Sequence, residues 1–231
     1  MGMIKFKSPA LPLPRELYDR QYFDQFIRIL TLYFNQLDSN TPIQADEFIG
    51  GVFYGDGYGV KLPHIAASDS TDQFADSPGN NAPTVVKWNT LDSGYGWTLA
   101  APGTATAQYA GAYKITYSLQ FINTSNAQHY VTVWLKVNNN DLPNSSTIFT
   151  VPARKSSSPG EQGFAVGYSE ITFTVAAGDD IELYWATDQA YNTTGPVNGV
   201  YIFHDNAQTT PFIRPAIPSA IGSITFLSAI P

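Results

Sequence analysis

The chain has 231 residues, a formal net charge of −7 and no cysteine. Without cysteine there is no disulfide framework, no thiolate nucleophile and no Cys-ligated zinc, and the acidic balance argues against a basic groove for nucleic acid. Only 13% of the residues are charged, well below the roughly 25% of ordinary soluble domains, while 14% are aromatic; together these predict a surface partly covered by partner subunits.

In chain order, residues 1–15 are punctuated by Pro9, Pro12 and Pro14 with Leu11 and Leu13 between them. Proline fixes φ and blocks helix and central strand, so the stretch reads as an extended arm with apolar teeth; an unordered terminus is the alternative. Met1–Ser8 shows no apolar core of a secretory signal. Residues 16–38 predict one amphipathic helix. Phe23, Phe26, Leu30, Tyr33 and Leu37 fall at alternating spacings of three and four, the pattern of a helical seam, and Ile27 and Phe34 widen the stripe. A stripe this wide suits three helices together, one helix in a socket, or a helix packed on its own β domain. Ser39, Asn40 and Pro42 end it. Five of the 12 basic residues (Lys5, Lys7, Arg15, Arg20 and Arg28) precede position 29, so an acidic socket would suit this region.

Residues 43–83 read as a Gly/Asp-rich connector. Gly50, Gly51, Gly55, Gly57 and Gly59 alternate with Phe53, Tyr54 and Tyr58, and no Gly-Lys-Ser/Thr follows to make a phosphate loop. Residues 64–83 are polar and predict a loop. Its Asp69, Asp72 and Asp76 are hard oxygen ligands that could suit calcium, but their spacing is not that of an EF-hand and the reading is no metal.

Residues 84–231 predict a β domain. In Ala112–Phe121 the apolar set Tyr113, Ile115, Tyr117, Leu119 and Phe121 alternates with Lys114, Thr116, Ser118 and Gln120, as in a strand with one dry face. Tyr130–Val137, Ser169–Val175 and Ile181–Trp185 repeat the pattern. Thr84–Trp88, Gly96–Leu99, Ile148–Val151, Gly199–Phe203 and Ser219–Leu227 complete nine candidate strands. Such a series with turns between predicts a β-sandwich or jelly roll. If the odd positions of Tyr130–Val137 face the core, Tyr130 and Trp134 face out, as subunit contacts or as a surface for sugar.

Catalytic motifs are missing. His64, His129 and His204 show no metal-binding spacing, and there is no Gly-x-Ser-x-Gly elbow. His204 and Asp205 would point to opposite faces of a strand. Asp179 and Asp180 sit in a predicted turn, where carboxylates are solvated. No apolar run reaches the ~20 residues that span a bilayer. The expectation is therefore no catalytic residue, no cofactor, no nucleic acid and no membrane.

Two resemblances sharpen this reading. Gly111-Ala112-Tyr113-Lys114-Ile115, Leu135-Lys136-Val137-Asn138, Val175-Ala176-Ala177-Gly178-Asp179-Asp180-Ile181 and Ser219-Ala220-Ile221-Gly222-Ser223-Ile224 occur in the order of similar motifs in the C1q/TNF-like jelly-roll superfamily. Ile115 stands where that family has Phe, and Asn139 where it has Gly. The resemblance implies a homotrimer in which one sheet of each subunit faces its neighbours. Tyr18–Asp38 resembles an N-terminal segment of small virion proteins of tailed bacteriophages. That likeness implies a docking arm and helix that tether the β domain to a particle.

The chain thus divides into an arm and helix (1–42) for anchoring and trimerisation, a connector (43–83) and a C1q/TNF-like jelly-roll domain (84–231). The expected role is a non-enzymatic phage virion protein, a trimeric head decoration, cement protein or short head fibre, with the major capsid protein or another virion protein as partner. Alternatives are a tail receptor-binding protein that grips host glycan, or a bacterial C1q-like binding module.

Overall fold

A computed structural model describes residues 4–5, 20–38, 43–44, 62–75, 82–155, 161–192 and 198–229. The chain divides into two units, Met1–Gly59 and Val60–Pro231. In the first, β1 (Ile4–Lys5) and β2 (Ile43–Gln44) pair in parallel, and between them in sequence runs α1 (Arg20–Asp38). The predicted helix is present from Arg20; residues 16–19 and the arm residues Pro9, Leu11, Pro12, Leu13 and Pro14 lie outside the described residues.

The described residues of the second unit form thirteen strands in two antiparallel sheets. They are β3 (His64–Asp69), β4 (Thr84–Val85), β5 (Thr90–Tyr95), β6 (Trp97–Ala100), β7 (Thr104–Ala107), β8 (Gly111–Asn123), β9 (His129–Val137), β10 (Asn140–Asp141), β11 (Thr147–Val151), β12 (Gly163–Val175), β13 (Asp180–Thr187), β14 (Val200–Ile202) and β15 (Ala220–Ser228). One sheet runs β12-β8-β15-β3-β5, with β14 also on β8. The other runs β10-β9-β13-β7-β6, with β11 also on β9 and β4 on β13. The mainly β prediction therefore holds, as a sandwich of two antiparallel sheets.

Alternation decides which side of each strand is dry. Tyr113, Ile115, Tyr117, Leu119 and Phe121 of β8 meet Val131, Val133 and Leu135 of β9 and Ile181, Leu183 and Trp185 of β13 in one buried core. β8 pairs with β12 over its whole length, from Gly111↔Val175 to Asn123↔Gly163. The 13-residue β8 is the spine of its sheet, because β15 and β14 share its other edge.

Four features depart from the sequence expectation. Residues 64–69, predicted as loop, form the inner strand β3, with Ile65, Ala67 and Asp69 buried. β5 and β7 occupy stretches to which no strand was assigned. β12 begins at Gly163, six residues before the predicted Ser169. The sandwich unit begins near Val60 rather than Thr84. The causes are small side chains: His64–Asp69 and Thr104–Ala107 carry alternation in alanine, serine and threonine, which hydrophobicity hardly registers.

Asp69 and Gln73 explain how a polar stretch closes one end of the core. Asp69 Oδ1 accepts the backbone N–H of Thr71 at 2.8 Å and the Thr71 hydroxyl at 2.6 Å. The Gln73 amide behaves as an extra peptide unit: its Oε1 accepts Lys87 N–H at 2.8 Å and its Nε2 donates to Lys87 O at 3.0 Å. Its backbone meanwhile bonds Ile202 in both directions. Buried polar groups are tolerated when bonded in this way.

Candidate functional site

A sandwich has two solvent faces, and here they differ. On the β8-centred sheet, the first half of β12 inverts the usual order of sizes. Its inward positions are Gly163, Ala165 and Gly167, and its outward positions are Phe164, Val166 and Tyr168. Gly167 is small because a Cβ there would lie 2.5 Å from the Phe121 ring. Phe164, Val166 and Tyr168 are 57–59% exposed, and Ile221 of β15 is 47% exposed. The register sets Tyr168 beside Ser118 and Ile221 beyond it.

Aromatic rings continue this surface. Phe164 lies 5.8 Å from Phe203, Phe203 6.4 Å from Tyr201, and Tyr201 4.9 Å from Phe74 and 5.2 Å from Tyr191. Outward Ser118, Gln120, Thr116 and Ser223 fill the middle of the face with uncharged side chains. The ion pair Lys114–Glu170 (3.2 Å) lies toward the other end of β8.

The outer face of the β9-centred sheet carries both predicted aromatics. Tyr130 is 49% exposed and Trp134 half-buried, on the even, outward side of β9. The structure brings Trp134 to a residue the sequence reading did not single out, Tyr184 on β13. The two are direct cross-strand neighbours, with centroids 6.0 Å apart and planes tilted by 33°. Trp134 Nε1 donates to Asp141 Oδ1 at 2.8 Å, and the Lys136 ammonium sits 4.4 Å over the Tyr184 ring and 3.7 Å from Asp141. Glu182, opposite Lys136, accepts the Thr104 hydroxyl at 2.7 Å, and Asp180 accepts that of Thr106 at 2.6 Å. Ile148, 67% exposed, stands across from Thr132.

In α1 the predicted stripe splits. Phe26, Leu30 and Tyr33 are half-buried, while Phe23, Ile27 and Phe34 are 43–60% exposed and form its flank. The side chain of Leu37 lies outside the described residues. Leu32, also exposed, stands apart from that flank. Among the described residues no helix is long and apolar enough to cross a membrane.

The titratable residues that sequence reasoning weighed turn out to brace loops. Asp179 Oδ2 accepts Ala176 N–H, and its Oδ1 accepts the Asn138 amide at 2.8 Å. Asp72 accepts His204 N–H, and Asp205 pairs with Arg214. His64 bonds Leu62 O and the Ser93 hydroxyl. Among the described residues no group of three His, Asp or Glu could hold a metal ion; Asp76 lies outside them.

His129 is the most suggestive of the three histidines. Its Nε2 is 2.7 Å from Ser125 Oγ and its Nδ1 3.3 Å from Asp188 Oδ1, a Ser–His–Asp succession. Yet Ser125 Oγ also closes its own turn, 3.2 Å from Ala127 N and 2.9 Å from Ala127 O. Arg154 N–H clamps Ser125 O, and Arg154 Nε clamps Asn126 Oδ1. The triplet ties the β8–β9 loop to the loop after β13 at one end of the sandwich. The core cavity is no better as a reaction site, being about 30 Å³ and lined by Ile65, Ala67, Leu99, Ala105 and Leu183, room for about two waters but offering them few partners.

The chain matches no protein-family model and no curated protein sequence.

Proposed function

We propose that this chain is a non-enzymatic structural protein of a bacteriophage particle, a homotrimeric decoration or short head fibre that docks through its N-terminal helix. The observation that carries the reading is the inverted size order of β12. A strand that puts glycine and alanine inward and Phe164, Val166 and Tyr168 outward gives up core volume to build an apolar outer face. Exposed patches of this kind mark protein interfaces.

The strand order supports a jelly roll of the C1q/TNF kind. β3, β15, β8 and β12 are neighbours in one sheet and β7, β13, β9 and β11 in the other. Eight strands shared in this way between two sheets suit the double Greek key of that architecture. On this reading the β12-β8-β15 face is buried between three subunits. The Phe23, Ile27 and Phe34 flank of α1 is the docking surface for the major capsid protein or another virion protein, and the mature location is the particle surface. The likeness of Tyr18–Asp38 to phage virion segments supplies the particle.

Analytical ultracentrifugation of the full chain tests the trimer. The expected mass is three times the 25.2 kDa of one chain, and Val166→Asp gives a folded monomer, since burying an unpaired charge costs several kcal/mol. Ile27→Asp with Phe34→Asp is expected to abolish co-purification with particles while leaving the trimer intact. A wild-type monomer overturns the trimer, and undiminished co-purification overturns the anchor.

A further inference from the structure

We propose that the outer face of the β9-centred sheet binds neutral saccharide, with Trp134 as its stacking surface. The inference goes beyond the anchored trimer and takes from it only that the opposite sheet face is the covered one.

Three features on this face suit a sugar. The first is a fixed aromatic plane. Trp134 is held on one side by Tyr184 at 6.0 Å and at its N–H by Asp141 at 2.8 Å, while Lys136 over the Tyr184 ring fixes that neighbour in turn. An aromatic ring oriented before binding costs little entropy to use and offers its face to the C–H side of a pyranose.

The second is a set of acceptors on either side of that plane. Asp141 on β10 and Glu182 and Asp180 on β13 flank β9, each bonded to neighbouring donors: the Trp134 N–H and the Lys136 ammonium, the Thr104 hydroxyl and the Thr106 hydroxyl, respectively. An ionised carboxylate has about four lone-pair sites, so each keeps acceptor capacity for sugar hydroxyls. The third is extension. Tyr130, four residues before Trp134 on the same side of β9, lies about 13 Å away along the strand and is half exposed, which lengthens the platform enough for an oligosaccharide.

Charge selects the class. Asp141, Asp180 and Glu182 flank the aromatic plane and Asp188 lies beside Tyr130, against the cation Lys136. Acidic glycans, phosphate polymers and nucleic acid are repelled by this excess, whereas a neutral sugar supplies the hydroxyl donors that carboxylates accept. A protein surface docked here would have to strip water from Lys136, Asp141 and Glu182, and buried ion pairs seldom recover that loss. The β8-centred face imposes no such cost over its aromatic half, which is why the two faces point to different occupants.

Affinity electrophoresis of the full-length protein provides the test, through native gels containing dextran, laminarin, yeast mannan or galactomannan, with alginate and polygalacturonate as anionic gels. Retardation is expected in at least one neutral gel. It should survive about 1 M NaCl, where the Debye length is about 3 Å. Trp134→Ala is expected to weaken it about tenfold or more, as truncated aromatic anchors do, and Trp134→Phe to restore part of it. Tyr130→Ala, exposed and remote from the core, gives a smaller loss. Lys155→Ala, in the exposed loop after β11, gives none.

Passage of the wild type unretarded through every neutral gel overturns the proposal. So does retardation that Trp134→Ala and Tyr130→Ala leave unchanged, that occurs only in the anionic gels, or that salt abolishes. Sedimentation of the same samples separates this result from the oligomer: a retarded monomer sinks the trimer and keeps the sugar site, and an unretarded trimer does the reverse.

Discussion

The two solvent faces of the sandwich share one core and one kind of backbone, yet they carry opposite surfaces. Outside the β8-centred sheet stand Phe164, Val166, Tyr168 and Ile221 among Ser118, Gln120 and Thr116. Outside the β9-centred sheet stand Tyr130, Trp134 and Tyr184 among Lys136, Asp141, Asp180 and Glu182. Because alternation commits only every second residue to the core, the outward residues are free to differ. A face whose aromatic half is uncharged, its Lys114–Glu170 pair standing toward the other end, suits a dry, permanent contact, and an aromatic face edged by carboxylates suits a wet and reversible one.

The contrast depends on the core that both sheets share, and removing part of that core should have the largest effect. Trp185→Ala leaves a large hole beneath β13, since Trp185 is fully buried. It is expected to cost about 3–5 kcal/mol in urea unfolding and to weaken both faces together. A loss confined to one face would show that the sheets are less coupled than their common core implies.

Next in size is the effect of a charge placed on each face in turn. Tyr168→Asp should convert the proposed trimer to monomer in the ultracentrifuge, because on that proposal its side chain would be buried without a partner. Thr132→Asp, across from Ile148 on the other sheet, should leave the mass unchanged and shift stability by no more than about 0.5 kcal/mol, as surface changes usually do. If both change the mass, the two faces do not divide their roles as described.

How much of this was legible beforehand depends on side-chain size. β8, β9 and β13 were readable because Tyr113 to Phe121, Val131 to Leu135 and Ile181 to Trp185 alternate large apolar with polar residues. β3 and β7 were not, since Ala67, Ala105 and Ala107 are buried but too small to mark a period. The outward position of Trp134 followed from its even place on β9. Its neighbour Tyr184 did not, because a cross-strand pair needs the β9–β13 register, which a linear sequence does not contain. The Phe164–Tyr168 surface escaped for a physical reason: large residues facing out and small ones facing in reverse the pattern by which a strand is recognised. His129 is similar, since its neighbours Ser125 and Asp188 lie on different loops.

Alkaline titration separates inner from outer tyrosines. Burial pushes the Tyr117 hydroxyl above the usual tyrosine range, an effect that the nearby hydroxyls of Ser169 and Thr147 partly offset. Tyr201 is raised by burial and then by the charge of Asp72 and by Tyr191. A raised pKa means that the folded chain holds these protons more tightly than the unfolded one. Their contribution is therefore complete below about pH 10 and is lost as pH climbs through the raised values. Wild-type stability, measured by urea titration at successive pH values, should fall above about pH 10. Tyr117→Phe should flatten that fall without loss at neutral pH, since the Tyr117 hydroxyl lacks a hydrogen-bond partner of good geometry. Tyr201→Phe should flatten it as well. An unchanged slope in both variants would place the alkaline sensitivity elsewhere.

A more local effect concerns the turn that feeds β13 and so carries Asp180, Glu182 and Tyr184 to the outer face. Gly178 has φ +92° with nothing within 4 Å of where a Cβ would sit, so an added methyl group meets no neighbour and the cost is purely backbone strain. Gly178→Ala should cost about 1–2 kcal/mol, the penalty of a left-handed conformation for an L-residue. The turn is otherwise held by Gly178 N–H to Ala107 O at 2.7 Å and by the Asp179 side chain on Ala176 N–H. It should therefore re-form, lowering the melting temperature while the mass and the gel retardation expected of the wild type persist. A loss of retardation without loss of mass would mean that the register of β13, and with it the place of Tyr184 beside Trp134, is set by this turn and not by the β9–β13 pairing.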